Sequence, residues 1–229
     1  MSAKNELGGY KIQIITNFTM MQTKKERYSK VLSKYVPKEF IELTVELLLK
    51  HPVVFKIVKP RKTKLGDFRA GMKTEKHQIT VNGDLNKYSF LITTLHEFAH
   101  LITYNEFGRK AAPHGHEWKS NFRELLLPII NSSSLPKPIE NALVNSLTNV
   151  KASSCTDINL QRVLITYNEQ TDDLKTLETL NKKSTFELNG KHFEKGILRR
   201  TRFLCMEKET RKNYLVNRLA LVKEIKNEE

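Results

Sequence analysis

The chain has 229 residues, 39 of them Lys or Arg against 25 Asp or Glu, which gives a formal net charge of +14 with 39% hydrophobic residues. That size and balance predict a globular protein with room for one main domain and a small second one. No apolar run approaches the roughly twenty residues of a membrane span, and the N-terminus lacks the basic-then-apolar form of a secretory signal. The expectation is a cytoplasmic, monomeric protein without a membrane partner. Cys155 and Cys205 stand far apart and in no C-x-x-C pair, so neither a disulfide framework nor a zinc ribbon is implied.

Residues 1–22 are polar and weakly patterned and read as a flexible leader. A helix is expected from Pro37 to about Lys50, with Phe40, Leu43 and Leu47 on one face. Pro52 to Lys59 has the β-branched content of a strand, and Lys64–Ala70 and His77–Val81 read as two more. Asn82-Gly83-Asp84 turns the chain into a long helix, capped by Asp84 or Asn86 and stopped at Gly108. Leu91, Leu95, Phe98, Ala99 and Ile102 form its buried stripe. A further helix carries Trp118, Phe122, Leu125, Leu126 and Ile129 on its apolar face, and another is expected at Pro138–Asn149 after the linker Asn131–Pro136. The remainder reads as strands. Asn189-Gly190 marks a hairpin, and Ile197–Met206 and Tyr214–Ile225 read as a strand pair.

The long helix carries His96-Glu97-Phe98-Ala99-His100, an H-E-x-x-H sequence. Residues four apart share a helix face, so His96 and His100 can bind one metal ion. Glu97 points beside the pair and is suited to act as a general base on a water at the ion. A catalytic zinc site takes three protein ligands and one open position, so a third ligand must come from elsewhere. The nearest candidates are His114 and His116, and Glu117 and Glu124 offer carboxylates on the next helix. The metzincin spacing is excluded, because Thr103 and Glu106 stand at its Gly and His places.

With His114-Gly115-His116-Glu117-Trp118 following the first motif, the chain resembles the SprT-like zinc metalloproteases, which include the Spartan-type proteases of DNA–protein crosslink repair. The resemblance spans roughly residues 35–130 and rests on the two-part motif. It implies an α+β, zincin-like metalloprotease domain over residues 23–150, one zinc ion on His96, His100 and His114, and peptide-bond hydrolysis with Glu97 as base. It also implies protein or peptide substrates, usually near DNA. In zincins the strand before the motif helix, here His77–Val81, usually aligns substrate as an added strand. Many relatives end in a zinc ribbon with four cysteines. This chain has only Cys155 and Cys205 there, so residues 151–229 are expected to be a small basic β-rich module, a degenerate ribbon without metal.

The positive excess lies in the flanks: residues 1–82 hold 17 Lys/Arg against 7 Asp/Glu, and residues 83–150 hold 6 of each. Two clusters stand out, Lys56, Lys59, Arg61, Lys62 and Lys64, and Lys191, Lys195, Arg199, Arg200 and Arg202. Such patches attract nucleic acid, and Lys59, Arg61, Lys62, Arg199, Arg200 and Arg202 are the candidate contacts; a solvated basic surface is the plain alternative. The competing function is a nucleic-acid-binding protein whose zinc is purely structural, closed by His116 as a fourth ligand.

Overall fold

The computed structural model describes residues 21–61, 63–72, 75–148, 157–169 and 173–225. It is mixed α and β and divides into two compact units, Met1–Leu164 and Ile165–Glu229. Residues 1–20 of the expected leader lie outside the described residues, while 21 and 22 begin a helix, α1, over residues 21–32. Its sequence is mostly polar or charged, with Met21, Tyr28, Val31 and Leu32 as its few apolar residues.

After Pro37 a 3-10 turn (Lys38–Phe40) leads into α2 (Ile41–Lys50). This helix buries Thr44, Val45 and Leu48 rather than the expected Leu43 and Leu47. The inward face is thus rotated, and Thr44 is accommodated because its hydroxyl donates to the Phe40 carbonyl at 2.8 Å. Three strands follow: β1 (Val53–Val58), β2 (Gly66–Arg69) and β3 (His77–Asn82). The sheet order is β1-β3-β2, with β3 parallel to β1 and antiparallel to β2. The strand expected to offer substrate a free edge, His77–Val81, is therefore the central strand, already paired on both sides, and β2 is an edge.

The β1–β2 connection is fastened to β3 by one arginine. Arg61 Nε donates to Asn82 Oδ1 at 2.9 Å and Nη1 to Thr80 Oγ1 at 3.0 Å, while Asn82 Nδ2 donates to the Arg61 and Lys64 carbonyls. Asn82 and Thr80 are buried, so these bonds satisfy polar groups that would otherwise be costly.

Next comes α3 (Lys87–Phe107), capped by Asn86, whose side chain accepts from the Ser89 N–H, and ended at Gly108 with φ 61°. Instead of a single buried stripe, every residue from Phe90 to Ala99 is buried. The helix packs on β2, β3 and α4 and so runs through the centre of the unit. Each fully buried Leu or Phe there contributes about 1.5–3 kcal/mol of transfer free energy. Helix α4 (His116–Asn131) buries Trp118, Phe122, Leu126 and Ile129. Asn121 on α4 donates to Thr103 Oγ1 at 3.0 Å and to Glu106 Oε2 at 2.9 Å, which holds α4 against α3. Then come α5 (Lys137–Thr148) and a helix not expected from the sequence, α6 (Ile158–Ile165). The Leu164 carbonyl accepts from Asn86 Nδ2 at 2.9 Å, so α6 is tied to the start of α3 and the first unit extends past the expected boundary at residue 150.

The second unit is an antiparallel sheet of β4 (Leu174–Thr176), β5 (Thr185–Leu188), β6 (Lys191–Arg199), β7 (Arg202–Glu207), β8 (Asn213–Asn217) and β9 (Leu221–Ile225). Its order is β4-β9-β5-β6-β7-β8. Leu177, Leu180, Phe186, Phe193, Cys205, Val216 and Val222 form the core. The Asn189-Gly190 hairpin is present, both residues having positive φ. Ile197–Met206 is not one strand: Arg200 takes φ 57°, and the chain reverses between β6 and β7. Tyr214–Ile225 is likewise broken between β8 and β9. Cys205 is buried, and Cys155 lies outside the described residues.

Candidate metal centre and active site

His96 and His100 are placed by the helical repeat of α3, one turn apart on the face turned toward α4. His114 reaches them by a different device. Its backbone is left-handed, φ 58°, a conformation that costs a non-glycine residue roughly 1–2 kcal/mol and that histidine adopts more readily than most. Gly115 then caps α4, where an added Cβ would lie 2.9 Å from the Ala112 carbonyl oxygen. This kink delivers the His114 ring back over α3. The Nε2 atoms of His96, His100 and His114 stand 3.1 Å from one another on all three sides of a triangle.

That triangle fits a metal ion. Zinc–nitrogen bonds of about 2.0–2.1 Å at tetrahedral angles place ligand nitrogens about 3.3 Å apart. Three imidazole nitrogens converging on one point cannot all be paired by hydrogen bonds among themselves, whereas an ion at that point takes one lone pair from each. Burial, and then the neighbouring imidazoles, push His96 down to about 3 and His100 down to about 4, and burial lowers His114, so all three are neutral at pH 7, the form that binds metal. Of the two histidines that compete in the sequence, His114 is in the triangle. His116 is exposed at the start of α4 and stands outside it, as do Glu117 and Glu124. Among the described residues no other group of three or more His, Cys, Asp or Glu is placed to hold an ion.

Trp118 forms the floor. Its ring centroid lies 4.6 Å from that of His96, 5.3 Å from His100 and 4.7 Å from His114, and Phe122 stacks behind it at 5.0 Å. On the other side Phe68 of β2 lies parallel to His100 at 6.5 Å and touches His77 and Tyr104.

Glu97 is 5% exposed. Burial, and then the charge of Asp67, push its carboxyl up to about 8, against the lowering effects of the Phe68 backbone N–H and of the positive charges of Arg61 and Lys64. Asp67 itself is held below the usual carboxylate range: burial works to raise it, but the ion pairs with Lys64 at 2.7 Å and Arg69 at 2.8 Å prevail. Glu97 is thus a buried carboxyl, protonated at pH 7 in the metal-free protein, beside three neutral imidazoles; a cation held by those imidazoles would favour its ionised, proton-accepting form.

The candidate nucleic-acid residues are placed differently from one another. Arg61 is spent on Asn82 and Thr80, Lys59 is exposed, and Lys62 lies outside the described residues. In the second cluster Lys191 pairs with Glu207 at 2.6 Å. Lys195 is buried, donating to the Glu178 and Leu180 carbonyls with its ammonium 4.1 Å from the Phe203 ring centroid. Arg199, Arg200 and Arg202 remain exposed together at the β6–β7 turn.

An α+β unit with an H-E-x-x-H helix, a third histidine from a kink before the next helix, and an edge strand beside the glutamate defines a candidate metal-dependent hydrolase. Residues 49–132, from the end of α2 to just past α4, match the SprT-like family. Searches of curated proteins and of solved structures found no match. No helix of the described residues is long and apolar enough to cross a membrane.

Proposed function

We propose that the chain is a zinc-dependent endopeptidase of zincin-like architecture. The observation that carries this is the equilateral triangle of Nε2 atoms with a buried carboxyl, Glu97, beside it. Zinc, when bound, supplies a Lewis acid that polarises a peptide carbonyl and acidifies a water. His96, His100 and His114 would hold it. Glu97 accepts a proton from water during attack on the carbonyl carbon and returns it to the departing amine nitrogen. Trp118 and Phe122 close the site from below and exclude water behind the ligands.

Substrate is taken as an extended peptide along β2. The Asn82 N–H donates to the Leu65 carbonyl, which fixes the ladder so that Asp67 and Arg69 bond to β3 while Gly66 and Phe68 turn their backbone groups to the free side. Recognition through backbone groups favours unstructured protein segments over one side-chain sequence. The exposed Arg199, Arg200 and Arg202 support a nucleic-acid partner, and with it DNA-associated substrates.

The deciding experiment is Glu97→Gln. Zinc content should remain at about one ion per chain while cleavage of an unfolded protein substrate falls at least about a hundredfold. Full activity in this variant would rule out the reading.

A further inference from the structure

The sequence gives no reason for Gly66, which stands in a strand where glycine is a poor choice. Its surroundings do. A Cβ on Gly66 would lie 2.5 Å from Glu97 Oε1 and 2.7 Å from Thr93 Cγ2. Two residues on, the Phe68 N–H is turned to the free side of β2 by the same register, and its dipole favours the ionised form of Glu97. The base is therefore seated against the backbone of the edge strand, at a place where any side chain would displace it. The strand is in turn held down by the Arg61–Asn82 contact at the head of the loop leading into it.

We propose that the free edge of β2 positions Glu97, with Gly66 leaving the space that the carboxylate fills and the Phe68 N–H fixing its orientation. This rests on the peptidase reading above and adds to it two positioning residues that belong to neither motif. The edge strand then has two duties, to align substrate and to set the base. The Phe68 N–H is committed to the second, so substrate pairs with the remaining free backbone groups of Gly66 and Phe68.

The test is Gly66→Ala, compared with Gly66→Ala/Thr93→Ser. The serine removes the Thr93 methyl and leaves only the conflict with Glu97. In both variants zinc should stay at about one ion per chain, and kcat should fall by about a hundredfold, the scale of a reacting group misplaced by about 1 Å, with KM changed less than about twofold. In metal-free protein, amide exchange at Phe68 should accelerate at least about tenfold in Gly66→Ala, while the Thr80 amide, inside the sheet, keeps its protection. Recovery of kcat in the double variant would assign the conflict to packing on Thr93 and overturn the proposal. So would wild-type kcat with an unchanged Phe68 amide. Should the alanine variant not fold, Glu97→Ala decides the contact alone: Phe68 exchange must rise when the carboxylate is removed. If Glu97→Gln retains wild-type cleavage, it is the peptidase reading that fails, and the exchange measurement still tests the seating of Glu97.

Discussion

Arg61 and Asn82 hold each other in both directions: the guanidinium donates to the Asn82 side-chain oxygen at 2.9 Å, and the Asn82 amide donates to the Arg61 carbonyl at 3.2 Å. Asn82 is 2% exposed, so losing the arginine strands a buried amide. Arg61→Ala should destabilise the protein by about 1–3 kcal/mol in urea unfolding, and Lys59→Ala should leave the midpoint unchanged. Equal stability of the two variants would return Arg61 to the pool of free surface cations.

Metal content separates the histidines. His114→Ala should lose most of the zinc and His116→Ala should keep it. The only tryptophan, Trp118, touches all three imidazoles, so cobalt titrated into metal-free protein should quench its fluorescence. An unresponsive tryptophan, or zinc lost from the His116 variant instead, would contradict the triangle.

The metal-free protein should have a stability maximum near pH 6.5. His96 and His100 have folded values of about 3 and about 4, below the unfolded value near 6.5, so the unfolded chain binds more protons in that window and stability falls as pH drops through it. Glu97 is raised to about 8 from an unfolded value near 4.5, so the folded chain binds more protons between those limits and stability falls as pH rises toward 8. Below pH 6.5 the two imidazoles outweigh the one carboxyl, and above it only the carboxyl acts. Chemical denaturation in the presence of chelator should show both limbs, and Glu97→Gln should remove the alkaline one. An alkaline limb persisting in that variant would place its origin elsewhere.

At the β6–β7 turn Arg199, Arg200 and Arg202 are exposed together and can meet a polyanion. Reversing Arg199, Arg200 and Arg202 to Glu should weaken single-stranded DNA binding and flatten its dependence on salt, since each neutralised phosphate releases counterions. Cleavage of a short unstructured peptide should not change. Binding indifferent to the triple reversal would leave these arginines as solvated surface.

Lys195 is a different kind of cation. Its ammonium ties β6 to the carbonyls of Glu178 and Leu180, and Lys195→Met should destabilise the second unit by about 1.5–3 kcal/mol without affecting zinc content or peptide cleavage. A DNA-binding defect with unchanged stability would be the contrary result.

The parts legible in the sequence are those that local pattern dictates. Strands β1, β2 and β3 fell within the expected stretches to within a residue or two, Asn86 caps α3, and Asn189-Gly190 turns β5 into β6. His96, Glu97 and His100 follow from spacing on one helix, and His114 from the second motif. What local pattern does not carry is strand order, and so the central position of β3 and the free edge of β2 were not visible. A left-handed arginine is not a turn signal, which is why β6 and β7 read as one strand across Arg200. The charged α1 offers too few apolar residues for its period to show. The partner of Arg61 lies twenty-one positions away, and no spacing rule connects them.

The sheet order also sets a sequence of assembly. Strand β2 is made before β3, its neighbour in the sheet, and Gly66 and Phe68 have no bed to lie in until residues 77–82 have emerged. The triangle has two corners until residue 114 is added, and its floor is missing until residue 118. During synthesis the glutamate and the first two imidazoles therefore exist for some time without the strand, the third ligand and the indole in place together. On the peptidase reading, the site of a nascent chain is incomplete until α4 packs on α3.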